Sequence, residues 1–435
     1  MSSLENVKSP SEQNNNFGQR KGRSSTPKHE QHKEMDKKSK WYDDPLLQAT
    51  DPMRAAATTQ SSLCTAVWMG LVGIVILPIT LVVLILFLLL WILPGFGSSY
   101  ERYAEARDRK KYYPPEDEMK PWGPENKLIH VVHLRAPESK LPPIIYVSGL
   151  GASMNVVKPL LLKFAQYIDE PIEIFSFDSP GYGASAPPVD WTTESADTEI
   201  SLLRRVVCEK LVLRKPFVLF GASAGASLAQ LYRLQYPEDV AGIILFDPTP
   251  SNVFEDGSPM SVDFNGAFSL YRKMARAASW GLMRPLAPLI RYCIPGEFGD
   301  IFRLLPHGHV ALFMTQTMLR KTGNHFLYWR TIMDRVSKLE IDLSSASNAV
   351  TIRRSTPLLV VSAQNWIKKR PHGSLTREEM RHWWNDNQQP FVRSSDNAGF
   401  VARTDHTHAQ CMLDMKLAAN ATKAILAQIN SKFVR

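Results

Sequence analysis

No charged residue lies between Arg54 and Glu101, and within that interval residues 66–93 read AVWMGLVGIVILPITLVVLILFLLLWIL. A helix over Ala66 to Leu93 would rise about 42 Å at ~1.5 Å per residue, more than the roughly 30 Å of a bilayer's hydrocarbon core. Soluble cores rarely supply an apolar cylinder of that length, so the stretch predicts a single membrane-spanning helix. Trp68 and Trp91 stand near its ends, where indole rings favour the interface. Pro78, in the middle of the run, removes one backbone donor and leaves a kinked span or a shallow hairpin as the alternative. A long polar stretch precedes it, which argues against a cleaved signal peptide. Everything C-terminal must then fold beside a membrane.

The flanks set orientation. Residues 1–65 are polar and charged, with almost nothing apolar before Trp41, and cannot bury enough surface to offset the entropy of ordering. They are expected to be a disordered tail. Acidic residues interspersed among its lysines and arginines argue against a nucleic-acid arm. Residues 94–125 form a charged juxtamembrane segment in which Arg102, Arg107, Arg109, Lys110 and Lys111 follow the span closely. The positive-inside rule therefore places the C-terminal part on the cytosolic side. The formal net charge of +9 points to an anionic surface as well. Four cysteines, Cys64, Cys208, Cys293 and Cys411, make no CxxC pair, so neither a disulfide framework nor a zinc site is expected. Cys64 is read as a plain juxtamembrane thiol, and the Asn420-Ala421-Thr422 sequon as a chance occurrence within a helix.

Beyond the juxtamembrane segment, short β-rich runs alternate with helical stretches, which argues for βαβ units and a largely parallel sheet with helices on both faces. LIHVVHL, PPIIYV, IEIFSF, PFVLFG, AGIILFD and TPLLVVSAQ read as strands, and Lys158 to Tyr167, Ile200 to Leu211, Ala224 to Gln235 and Asp414 to Ile429 as helices. Residues 126–250 and 356–435 are the two parts of this core. Between them, residues 251–355 alternate basic and large apolar side chains at near-helical spacing, which predicts a helical cap or lid. From Leu270 to Glu340 this insertion carries eleven Arg or Lys against four Asp or Glu, so contact with an anionic bilayer is a compatible second role.

The words along this order resemble the α/β-hydrolase family. PPIIYVSGLGAS sits where the family has a strand and its oxyanion loop. Asp178-Ser179-Pro180-Gly181-Tyr182-Gly183-Ala184-Ser185 is similar to its D-x-x-G-x-G-x-S turn, and Gly221-Ala222-Ser223-Ala224-Gly225 to its nucleophile elbow. The likeness covers about residues 125–250 and 355–430. It implies an α/β-hydrolase fold whose nucleophile is Ser223, exposed on a sharp strand-to-helix corner. The amides of Leu150 and Ala224 would hold the oxyanion. Ser148 stands where the family usually has a histidine, which leaves the support of that loop open. For the base, VARTDHTHAQ offers His406 and His408, and His406 aligns better with the family's motif. The acid breaks the pattern, since Gln364, Asn365 and Trp366 occupy the customary place; some members of the family take their acid from the end of the preceding strand, and there the resemblance implies Asp247 in ILFDP, with Glu378 and Asp386 as alternatives.

These residues together imply a membrane-anchored serine hydrolase that cleaves an ester of an acyl lipid or another apolar substrate. No metal or cofactor motif is present, and a serine at the elbow argues against epoxide-hydrolase and dehalogenase chemistry. The other reading is a decayed binding or scaffold module on the same fold.

Overall fold

The computed structural model divides the chain into two units, Met1–Lys40 and Trp41–Arg435, and every residue it describes lies in the second. Described are residues 77–91, 95–112, 118–250, 258–259, 261–293, 307–324, 354–365 and 375–433, with isolated residues 70, 73 and 253. The polar tail, parts of the apolar run and of the insertion, and Trp366 fall outside the described residues.

Eight strands form one sheet: β1 (Met119–Lys120), β2 (Ile129–Leu134), β3 (Ile144–Val147), β4 (Ile174–Phe177), β5 (Phe217–Ala222), β6 (Val240–Phe246), β7 (Leu358–Ala363) and β8 (Ala398–Arg403). Their order is β1-β2-β4-β3-β5-β6-β7-β8. β2 runs antiparallel to β1 and β4, and every other pair is parallel. The central strands are near-continuous apolar runs because both faces are covered. Alternate residues separate cleanly: Ile145, Leu219, Ile243, Leu245 and Val360 enter one core. Ile144, Val218, Phe220, Ile244 and Val361 enter the other. The strand order switches at β3, whose neighbours β4 and β5 follow it in opposite directions, so a crevice opens at the carboxyl ends of β3 and β5.

Three departures from the sequence reading matter for the site. The apolar run yields a described helix α1 (Leu77–Trp91) of 15 residues, with Pro78 in its first turn, where a missing amide hydrogen costs little. At about 22 Å it is shorter than a bilayer core, and among the described residues no helix is long and apolar enough to cross a membrane. The rest of 66–93 lies outside the described residues. Second, the charged segment contains a helix, α2 (Phe96–Tyr112), whose acidic residues turn inward instead of into solvent. Glu101 and Asp108 are buried. Third, a helix not foreseen, Arg377–Arg393, lies between β7 and β8. Its Thr376–Glu379 capping box was readable as a helix start.

The D-x-x-G-x-G-x-S turn after β4 knits the sheet edge to the oxyanion side. Asp178 Oδ1 accepts from the Met154 amide at 2.7 Å, at the head of helix α3 (Met154–Gln166), and its Oδ2 pairs with His130 Nδ1 at 2.9 Å. Ser185 Oγ donates to the Asp178 carbonyl at 2.7 Å and accepts from the His130 amide at 2.9 Å. Gly183 has φ +47°, and a β-carbon there would lie 2.1 Å from Asp178 Oδ2. Only glycine fits that approach.

His130 Nε2 meets Glu118 Oε2 at 3.1 Å, so the buried ring stands between two carboxylates. Burial opposes its charge, but Asp178 and Glu118 outweigh that and raise its pKa above 6.5. A histidine whose pKa rises on folding stabilises the fold fully below the unfolded value and loses that contribution as pH climbs through the folded value. Unfolding titrations should therefore show stability falling with rising pH above about 6.5, and His130→Gln should flatten that slope. Gly183→Ala should lower stability by about 1–3 kcal/mol in denaturant melts, from strain and the lost Asp178 geometry.

Candidate functional site

β5 ends at Ala222, and helix α4' that follows it (Ala224–Gln235) begins two residues later, so the corner must turn on Ser223 alone. Ser223 takes φ 52° and ψ −118°, a conformation disfavoured for any residue with a β-carbon. Close packing of the flanking glycines permits it. A β-carbon on Gly221 would lie 2.5 Å from Ala226 Cα, and one on Gly225 would lie 2.1 Å from the Val147 carbonyl oxygen. The Ser223 amide donates to the Phe246 carbonyl at 2.8 Å, which pins the corner to the end of β6.

The loop after β3 lies against the serine: a β-carbon on Gly149 would be 3.1 Å from Ser223 Cβ and 3.7 Å from its Oγ. Ala224 opens its helix, so its amide is one of the first-turn donors without an intrahelical acceptor. The support of the loop, left open by Ser148, comes from its surroundings. The Gly151 amide donates to Tyr182 Oη at 3.4 Å, the Ala152 amide to the Gly149 carbonyl at 3.2 Å, and Ser148 Oγ to the Ala152 carbonyl at 3.4 Å. Burial pushes the Tyr182 phenol well above its ordinary pKa, so it stays neutral.

Asp247, directly after β6, also has a positive φ, 42°, and its amide donates to the Val361 carbonyl at 2.6 Å. Its carboxylate has no solvent exposure, and Oδ2 meets His408 Nδ1 at 2.6 Å. Oδ1 accepts from the Ala363 amide at 3.1 Å, Trp384 Nε1 at 3.3 Å and Gln388 Nε2 at 3.4 Å. Trp384 and Gln388 stand one turn apart on the buried face of the unforeseen helix. Glu378 and Asp386 lie on its exposed face, and Glu378 is taken up by Arg381 and His382 at 3.4 and 3.6 Å. Neither reaches the site.

The expected base, His406, is displaced in the same way. Its Nδ1 lies 2.9 Å from Asp405 Oδ1 and its Nε2 3.0 Å from Asp414 Oδ2, and it is buried. With both ring nitrogens engaged by carboxylates, His406 has none left for Ser223. His408, two residues on and the first residue of the short helix His408–Leu413, takes its place beside Asp247. Ser223 and His408 line one cavity of about 150 Å³. Its walls include Val156, Leu160, Tyr271, Phe313 and Met412, so it is largely apolar, and burial pushes the Tyr271 phenol up to about 12. The customary acid position is spent on staples: the Gln364 amide donates to the Arg403 carbonyl at 3.0 Å and the Asn365 amide to the His406 carbonyl at 2.9 Å. Among the described residues no group of His, Cys, Asp and Glu could hold a metal ion.

Comparison with known proteins fits this geometry. Residues 144–417 match the model of the alpha/beta hydrolase family. Abhydrolase domain-containing protein abhd-5.2 of Caenorhabditis elegans is 34% identical over 107 residues, 24% of this chain and 23% of that protein. A poly(3-hydroxyalkanoate) depolymerase of Ectopseudomonas oleovorans is 27% identical over 126 residues, 29% of this chain and 42% of that protein. The chain thus matches less than half the length of these curated relatives. Among solved structures, the Cif epoxide hydrolase from Acinetobacter nosocomialis superposes with a TM-score of 0.50 at 16% identity, over 75% of this chain and 96% of its own, a likeness of fold alone. With the family model matched from β3 into the last helix, over well above half of its length, this chain belongs to the alpha/beta hydrolase family.

Proposed function

We propose that this hydrolase cleaves a carboxylic ester of an apolar acyl substrate with Ser223, His408 and Asp247, and that it works tethered to a membrane. One observation carries the reading: a fully buried Asp247 carboxylate 2.6 Å from His408 Nδ1, with His408 and the strained Ser223 lining the same cavity. Asp247 fixes the tautomer in which Nδ1 carries hydrogen, so Nε2 is the nitrogen that takes the Ser223 proton. Oγ then bonds to the ester carbonyl carbon, and the amides of Leu150 and Ala224 receive the oxyanion. His408 returns the proton to the departing alkoxide. Water, deprotonated by the same nitrogen, then releases the acid from the acyl-enzyme.

The apolar walls of the cavity support an acyl chain as the group bound there. Tyr271 and Phe313, from helices Ser261–Ser279 and His307–Phe313 of the insertion, cover it, which supports the lid reading. The similarity to a depolymerase of poly(3-hydroxyalkanoate) is in keeping with an ester bond as substrate. Tethering rests on residues 66–93. In their described part, Leu77, Ile79, Leu81, Val82, Val83, Ile85, Leu86 and Leu89 are all exposed, on every side of the helix. Water penalises such a surface by ~25 cal/mol per Å², whereas lipid does not. The basic run after it favours a cytosolic catalytic part.

A fluorophosphonate probe should label the full chain and fail to label Ser223→Ala; absence of serine-dependent labelling would favour the binding-module reading. On a labelled, active enzyme, Asp247→Asn should lower kcat roughly 10³–10⁴-fold, as loss of the orienting carboxylate does in such triads. His408→Ala should do at least as much, and Glu378→Gln should change it less than about two-fold. If His406→Gln instead of His408→Ala abolished turnover, the assignment of the base would fall.

A further inference from the structure

The charges of α2 are sorted by face. Glu101, Glu105 and Asp108 recur at spacings of four and three residues on the side packed against the insertion. Arg284 of the helix Met283–Cys293 donates to Glu101 through Nε at 3.1 Å and Nη2 at 2.9 Å, and through Nη1 to Asp108. All three side chains are at most 6% exposed. Thr317 Oγ1 donates to Glu105 Oε1 at 3.1 Å. Arg102, Arg107, Lys110 and Lys111 are left on the outer side, exposed. The insertion is therefore held against the helix that directly follows the apolar segment.

A second contact lies at the start of α2, which the chain enters at Gly95, with φ +83°. Gly281, between the helices Ser261–Ser279 and Met283–Cys293, comes so near that a β-carbon on it would lie 2.7 Å from the Gly97 carbonyl oxygen. Trp280, next to that contact, is 54% exposed, and Phe96, next to Gly97, is 42% exposed. On the helix Ser261–Ser279, which ends one residue before Trp280, Arg276, Lys273 and Leu270 recur at spacings of three along one face, all exposed. An exposed indole backed by cations, next to a contact with the helix that follows the apolar segment, is the composition of a membrane–water interface.

We propose that this corner, Trp280 with Arg276 and Lys273, is a second membrane contact that docks on an anionic lipid surface. It rests on the reading of residues 66–93 as bilayer-inserted. Charge complementarity, and the Gly97–Gly281 contact that joins this corner to the start of α2, the helix following α1, select lipid as the occupant. The roof of the Ser223 cavity would then rest on the bilayer, from which an acyl ester could enter.

The test uses the full chain in nanodiscs of phosphatidylcholine, with and without about 30% phosphatidylserine, with hydroxyl-radical modification of Trp280 read by mass spectrometry. Trp280 should be modified about five-fold less when the anionic lipid is present, and Lys273→Gln with Arg276→Gln should remove the difference. Neither basic residue touches the cavity, so turnover of a water-soluble ester should be unchanged in the double variant. Equal modification of Trp280 in both nanodiscs would overturn the proposal, as would protection that persists in the double variant. Protection in a chain that shows no ester turnover would sink the hydrolase reading and leave the contact standing. Release of the chain from the bilayer by alkaline carbonate would overturn the inserted reading on which the contact rests.

Discussion

A carboxylate taken wholly out of water must have its charge answered on every side, or it takes up a proton and stops acting as an anion. Asp247 has three donors on one oxygen and the His408 ring on the other. Those partners come from the end of β7, from the helix between β7 and β8, and from the helix after β8. Three separate pieces of chain are thus brought to one carboxylate, and the histidine is placed as a result. The left-handed φ of Asp247 and of Ser223 is tolerated because each amide is tied to the neighbouring strand end, Asp247 to Val361 and Ser223 to Phe246.

A second buried charge cluster lies between α2 and the insertion. Arg284 between Glu101 and Asp108 joins the insertion to α2. Removing one partner of such a cluster leaves an uncompensated buried charge, typically a matter of about 3–5 kcal/mol, so the insertion and α2 hold their register firmly. The insertion is in this way tied to the helix that follows the apolar segment, although the two lie far apart in sequence.

Much of this was legible beforehand. The β3, β5, β6 and β7 strands were readable because a strand buried on both faces is an unbroken apolar run, and Ser223 because glycine-serine-glycine between such a strand and a helix has one local solution. Asp247 was a candidate because some members of the family it resembles carry their acid at the end of the preceding strand, and the customary place holds the neutral Gln364 and Asn365. What misled was distance in space. His406 and His408 are two residues apart after the same strand, and the motif alignment favoured the first. The tight turn through Asp405 and the Asp414 cap claim His406 for the loop's own structure. Trp384 and Gln388 gave a faint signal, a buried pair one turn apart behind a capping box, but nothing local told which strand end they would face.

The sequence by itself determined the central strands, the elbow corner and the apolar segment, since each follows from periodicity, glycine placement or length over a few adjacent residues. Tertiary structure alone decided which histidine meets Asp247, which face of α2 is buried and that Gly281 packs against Gly97. These depend on side chains more than a hundred residues apart arriving at hydrogen-bonding distance, such as Asp247 with His408 and Glu101 with Arg284. Hydrogen bonds are short-ranged, and a two-residue choice can be settled only where the chain segments meet.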